Sequence, residues 1–366
     1  MKVNFTKKNR LLYTIVLLIV ILAIGGIIYA NRSFLQIGST STERQTIFSF
    51  ESGQQFQFEK SKDNVLVINN EGIICVNQSG THLWNIIKHL ATPCVQVEGG
   101  YTLLFDRGGK ELATYNGSAK MAEITTDQKI ITAKINSSGY IALVTDEVGY
   151  KAKIEVYNQR GQVVYKWMLG ENHPVDVDIS PDCKQLVAAT LCTSSGKICG
   201  TITFVDIDKE KVINETKRDD SLLISVKYSK NGSLIALGEG ELLGFNQKGE
   251  NKWNVNFDGR TLQSYDLSND SNIVLALTGS RNNTVIDVYD HNGKKRGEYV
   301  SDFQIKSLDV NNGTIAVSQQ RDIKLLNFKG KVKSQKTVQK DVHDIILLPQ
   351  DKVAVIGGNT VDIIKP

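Results

Sequence analysis

Beyond residue 44 the chain alternates short apolar runs, rich in β-branched and aromatic residues, with clusters of Gly, Asn, Asp and Ser. Runs of this kind, bounded in this way, predict β-strands. No stretch there holds a 3.6-residue apolar period long enough to predict a helix. The pattern also repeats. "VNQSGTHLW" (76–84), "YNQRGQVVYKW" (157–167) and "FNQKGENKW" (245–253) share one phrase, and weaker copies begin at 114, 205, 289 and 326. Indexed at Gly80, Gly117, Gly161, Lys209, Gly249, Gly293 and Gly330, these turns are spaced by 37, 44, 48, 40, 44 and 37 residues. A second phrase, a polar turn followed by an apolar run, recurs out of phase, as in "NSSGYIALV" (136–144), "SPDCKQLVAA" (180–189) and "SKNGSLIALG" (229–238). Its eight copies are indexed at Val67, Leu104, Ala142, Ala188, Ala236, Ala276, Ala316 and Ala354.

A period near forty residues with four strands in each is the signature of a β-propeller. The fifth period reads "SLLISVKYS", "LIALGEG", "ELLGFNQ" and "ENKWNVNF". Eight copies predict eight blades; seven, with one spacing misread, is the alternative. The last blade, "DVHDIILLP", "KVAVIGG" and "TVDIIKP", lacks a fourth strand. "RQTIFSFES" (44–52) alternates apolar and polar residues ahead of the first blade and is placed to supply that outer strand. The predicted fold is therefore all-β: an eight-bladed propeller of four-stranded antiparallel blades over 44–366, closed by its N-terminal strand.

The chain begins differently. Leu11 to Ala30, "LLYTIVLLIVILAIGGIIYA", is 20 residues without a charge. As a helix it would span ~30 Å, the thickness of a bilayer's hydrocarbon core. Lys2, Lys7, Lys8 and Arg10 precede it. The positive-inside rule then expects 1–10 to be a cytoplasmic basic tail, 11–30 a single transmembrane helix, 31–43 a polar linker, and the propeller extracytoplasmic. A cleaved signal peptide is the competing reading, but its apolar region is usually ~7–15 residues. The whole chain carries a net charge of +4, all of it contributed by those four residues. A neutral body lacks the basic face that a nucleic-acid partner requires.

In the shared phrase, Gly suits positive φ and Asn tolerates it better than most residues. Trp84, Tyr165 and Trp253 each follow their Gly by four residues, with Trp167 two positions beyond Tyr165 on the same strand face. A large aromatic at one fixed place predicts packing between neighbouring blades.

This Gly-then-Trp pattern resembles the tryptophan-docking repeats of quinoprotein-like propellers, and the "SPDCKQLVAA" and "SKNGSLIALG" hairpins are similar to those of the broader WD40-like group. With the N-terminal anchor, the chain resembles an uncharacterised family of membrane-anchored propellers from Gram-positive anaerobes, a domain of unknown function. The resemblance covers 44 to 366 and implies a fold and a location, not an activity.

Candidate chemistry is sparse. No two Cys are adjacent, as they are over the quinone of quinoprotein dehydrogenases, the repeat lacks the fuller Asp/Thr-Gly pattern, and no Trp completes a sialidase-type box, so no cofactor is expected. His82, His89, His173, His291 and His343 have no zinc-type spacing. Asp176 with Asp178, and Asp206 with Asp208, place two carboxylates on one strand face, and such pairs read as solvated faces. Cys75, Cys94 and Cys183 are isolated, but Cys192 and Cys199 flank "TSSGKI" in the long second-to-third-strand loop of blade 4, where a hairpin would bring them within disulfide distance. This loop, with Thr193, Ser194, Ser195 and Lys197, is the most distinctive insertion and the candidate partner site.

The expected function is non-catalytic: a scaffold or recognition module for another envelope protein or a cell-envelope polymer. The alternatives are an envelope enzyme acting on a glycan or peptide, and a ligand sensor, for which the N-terminal tail leaves no room for an output domain. An enzyme requires carboxylates or histidines converging at the channel mouth; small and apolar channel walls would count against one.

Overall fold

Every repeat folds into one antiparallel sheet. The computed structural model describes residues 44–366 apart from Ser52, Ser195, 269–271 and 281–282. The expected basic tail, transmembrane helix and linker lie outside the described residues, among which no helix is long and apolar enough to cross a membrane. The described strands form eight four-stranded sheets, an eight-bladed propeller rather than a seven-bladed one. Seven blades run consecutively from the inner to the outer strand over 57–87, 93–125, 130–169, 173–219, 223–256, 262–300 and 307–337. In the eighth, Asp344–Leu348, Lys352–Gly357 and Thr360–Ile364 are joined by Gln45–Ser49, which pairs antiparallel with Thr360–Ile364 as the outer strand.

Burial follows the strand alternation. The second and third strands are almost wholly buried, as in Ile141–Thr145 and Glu241–Phe245, while the outer strands alternate, as in Asn251–Asn256. The apolar side chains gather into eight clusters, each lying between two adjacent blades. Blades therefore depend on their neighbours for a core. The seam between blades 8 and 1 is sealed like the rest: Ile47, Val361 and Ile363 of blade 8 join Val65, Val67 and Val76 of blade 1. Leaving that seam open would expose an unpaired strand edge and half of a core.

The closing strand is also held by charge. Asp362, 1% exposed, accepts a hydrogen bond from Thr46 Oγ1 at 2.6 Å and pairs with Arg44 at 3.0 Å and Lys340 at 2.6 Å. Burial pushes its carboxyl up, but the bonds from Lys340 and Thr46 and the two cations outweigh that and hold it below the usual range.

The recurring phrase is a turn that also docks. In blade 5, Asn246 Oδ1 accepts the backbone N–H groups of Lys248 and Glu250, each at 3.0 Å, and Gly249 donates its N–H to Asn246 O at 2.9 Å. Asn77, Asn158, Asp290 and Asn327 build the same turn. The Gln that follows Asn ties this turn to the first hairpin of its own blade: Gln78 Nε2 donates to Asp63 O at 3.1 Å, Gln247 Nε2 to Asn231 O at 2.7 Å, and Gln159 Nε2 to Ser138 O. The Gly has positive φ, +73° at Gly249 and +79° at Gly330. It also lies against the outer strand of the preceding blade. A Cβ on Gly249 would stand 2.9 Å from Asn214 Cβ, and one on Gly330 would overlap the Glu298 carbonyl. Two copies differ. In blade 4 the positive φ falls on Glu210, one residue beyond the indexed Lys209, and Gly117 in blade 2 meets nothing within 4 Å.

Candidate functional site

The inner strands surround the axis, and their side chains latch one blade to the next. Asp176 of blade 4 accepts the Val226 N–H of blade 5 at 3.0 Å, and Asp178 accepts that of Tyr228 at 2.7 Å. Gln96 receives Ile135 N–H at 2.9 Å, Asp266 that of Val310 at 3.1 Å, and Asp309 that of Leu347 at 2.6 Å. These groups satisfy edge donors that would otherwise be left at the wall. Asp176 and Asp178 are 6% and 3% exposed. The solvated-face reading of this pair is therefore corrected, because both carboxylates are spent on the next blade's backbone.

Two ion pairs join blades that are not neighbours. Lys227 of blade 5 meets Glu98 of blade 2 at 2.8 Å, and Lys60 of blade 1 meets Asp309 of blade 7 at 3.1 Å. Burial works against the Lys227 ammonium, but Asp178 and Glu98 outweigh it and raise its pKa. Burial likewise pushes the Asp178 and Asp309 carboxyls up. Glu59, solvent-open but crowded by protein, is pushed up to about 7 by desolvation and by Asp309 and Asp344, with Lys60 pulling the other way. The cavity beside Lys227 and Glu98 is only about 40 Å³. That is room for a few waters at most. The axis is thus not a small, apolar channel. It is charged, and Lys227, Glu98, Lys60 and Asp309 are engaged with one another across it. Of the histidines, His82, His89, His173 and His343 are exposed, and among the described residues no group of His, Cys, Asp and Glu is arranged to hold a metal ion.

The repeats disagree most in blade 4. Its second and third strands, Gln185–Ser194 and Lys197–Asp206, have 10 residues each, against 5 to 7 in the other blades. The extra length carries the hairpin ~10–17 Å further along the strand direction. Cys192 and Cys199 stand directly opposite in register and form a disulfide, with Cα atoms 5.1 Å apart. Thr193 and Lys197 are exposed at the tip; Ser195 and the side chain of Ser194 lie outside the described residues. Lys197 pairs with Asp220 at 2.8 Å, and Asp220 donates its N–H to Ile198 O at 3.0 Å.

Beside this hairpin lies a groove of about 440 Å³ across blades 4 to 6, lined by Arg218, Asp220, Leu222, Glu241 and Arg260 among others. Arg218 bonds Glu241 through Nε at 3.1 Å and through its second nitrogen, Ser221 adds a 2.9 Å bond, and Arg260 meets buried Asp287 at 3.0 Å. Arg218, Glu241 and Arg260 are therefore fixed in place. Exposed Val148 and Tyr150 in blade 3, Ile198 in blade 4, and Leu222 in the link to blade 5 place apolar side chains on the same face. Exposed apolar side chains and paired charges on one face are the side-chain types of a protein-binding surface.

The repeat aromatics sit between blades. Trp84 packs with the cluster of blades 1 and 2, Tyr165 and Trp167 with that of blades 3 and 4, and Trp253 with that of blades 5 and 6. Trp253 Nε1 donates to His291 O at 3.1 Å, and a Cβ on Gly293 would stand 2.5 Å from its ring. Sequence reasoning missed the axial ion pairs, whose partners lie 129 and 249 residues apart. It also missed the groove, assembled from three blades; the charged run "KRDDS" (217–221) was its nearest visible sign.

Comparison with known proteins yields a fold and a family. A solved structure described as BamB from Moraxella catarrhalis aligns with a TM-score of 0.54 at 14% identity, covering 88% of this chain and 100% of that one. A computationally designed protein, Ika8, aligns with a TM-score of 0.62 at 13% identity over 88% and 100%. At these identities the likeness is one of fold alone. No curated protein matches the chain. Residues 38–365 match the model described as "Family of unknown function (DUF5711)".

Proposed function

The chain belongs to the DUF5711 family of unknown function, and we propose that it is a membrane-anchored, extracytoplasmic propeller acting as a non-catalytic recognition module for another envelope protein. The observation that carries this reading is the disulfide-closed blade 4 hairpin beside a groove of fixed charges and exposed apolar residues. Topology agrees with it. Gln45 Nε2 donates to Ser79 O at 2.9 Å, so the chain enters the propeller on the face of the third-to-fourth-strand turns. The blade 4 hairpin is a second-to-third-strand turn and lies on the opposite face, away from the point where 1–43 join. A disulfide suits an oxidising compartment, and 11–30 supplies the anchor.

Crosslinking in native membranes, followed by mass spectrometry, tests the module. A specific partner should be captured by the wild-type chain and lost when 192–199 is replaced by a short turn; unchanged capture would refute this surface. Location is tested separately: protease added to intact protoplasts should digest or release the propeller, and full protection would overturn the extracytoplasmic placement.

A further inference from the structure

A second site lies on that same face, on the other side of the ring. At the seam of blades 8 and 1 a cleft of about 920 Å³ opens, bounded by Phe50 and 54–58, the second-to-third turns of both blades and the link into blade 2. That volume is at the upper end of small-molecule sites, which run ~300–1,000 Å³.

Its wall is aromatic. Phe50, Phe56 and Phe58 are half-buried, with ring centroids 5.1 Å apart for Phe50 and Phe56, 6.0 Å for Phe50 and Phe58, and 6.3 Å for Phe56 and Phe58. Phe48 braces Phe56 edge-on at 5.7 Å. Here the rings keep part of their surface open.

The remaining wall is made of amides. Gln57 is engaged through Nε2 with Pro93 O at 3.0 Å, and Asn69 Oδ1 accepts Glu71 N–H at 3.0 Å. Gln55 and Asn70 line the cleft and are exposed, and each amide carries both donor and acceptor atoms. Charge is sparse: among the described residues no Lys or Arg lines the cleft, His343 is its one basic side chain, and the carboxylate of Glu71 is paired with His89 at 2.8 Å. A phosphate, a nucleic acid or an acidic peptide finds no Lys or Arg there.

We propose that this cleft binds an uncharged oligosaccharide. A sugar residue presents a flat C–H face and a rim of paired hydroxyls. The phenylalanine rings match the first, and the free amides of Gln55 and Asn70 match the second. The proposal is independent of the blade 4 surface, and either can fail alone.

The test is calorimetric titration of the full chain, held in lipid nanodiscs free of glycoside detergent, with chitohexaose, cellohexaose and maltohexaose. At least one hexasaccharide should bind. The double variant Gln55→Ala/Asn70→Ala, both residues exposed, should weaken that binding by ~3–10-fold per lost hydrogen bond with no change in melting temperature. Phe56→Ala should weaken it ~10-fold. No binding of any of the three up to 10-millimolar ligand, binding that neither variant alters, or preferential binding of an apolar hexapeptide would each overturn the proposal.

Discussion

If the glycine of the repeated turn serves docking as well as bending, two alanine substitutions of the same kind must behave differently. Gly117 and Gly330 both have positive φ, +60° and +79°. Alanine in the left-handed region costs ~1–2 kcal/mol at either position. At Gly117 the new methyl meets nothing within 4 Å, and the cost ends there. At Gly330 the methyl overlaps the backbone carbonyl of Glu298 in the preceding blade. Backbone cannot rotate aside as a side chain can, so the turn must lift from its neighbour, which adds ~1–3 kcal/mol. Gly330→Ala should then destabilise by ~2–5 kcal/mol against ~1–2 kcal/mol for Gly117→Ala. For a domain of this length each kcal/mol moves the melting midpoint by about 1.5 °C, so the two midpoints should differ by ~2–4 °C. Thermal unfolding of both variants of the full chain, followed by far-ultraviolet circular dichroism, measures this. Equal shifts, or a larger one at Gly117, would refute the docking role.

Three further outcomes follow from named contacts. Asn246→Ala removes an acceptor of two backbone N–H bonds and should cost ~1–2 kcal/mol, whereas Gln247→Ala loses one tie between exposed turns and should cost less than ~1 kcal/mol, both read by urea unfolding. Asp362, with its folded pKa depressed, contributes stability that is complete above the ordinary carboxylate range and lost as pH falls through the depressed value. The protection of the Gln45–Ser49 amides, corrected for intrinsic exchange, should therefore fall in acid ahead of that of the other outer strands, and Asp362→Asn should remove that pH dependence. Glu59 is the opposite case. Its raised pKa makes the folded state lose stability as pH rises from about 4.5 through about 7, so Glu59→Gln should raise the melting midpoint at pH 8 and leave it unchanged at pH 4.

The propeller was legible because its signals are local. An Asn or Asp three residues before a Gly forms its bonds within five residues, so five of the seven turns announced themselves, and counting the out-of-phase phrase gave eight blades. The closing strand was legible by subtraction: blade 8 lacked a strand, and "QTIFS" alternated in the right way. What the sequence hid is long-range. Nothing near Lys227 points to Glu98, and the Asp176–Asp178 pair has the same pattern whether it faces water or the next blade's N–H groups. The Gln of the phrase was read as part of a turn, but its bond to the first hairpin needs the sheet to bring residues 247 and 231 together. Phe48, Phe50, Phe56 and Phe58 stood in plain alternation, yet the cleft that the last three line depends on blade 8 lying beside blade 1. The blade 4 loop stood out by length and by its two cysteines, while the groove beside it required three blades to be assembled.

The central claim is that recognition resides on the face carrying the blade 4 hairpin. Photo-crosslinking amino acids placed singly at Thr193, at Lys197 and, on the opposite face, at exposed Lys329 would test it in native membranes. The account predicts one discrete adduct from positions 193 and 197 and none from 329. An adduct from 329 with none from the hairpin positions, or no adduct from either face, would contradict it.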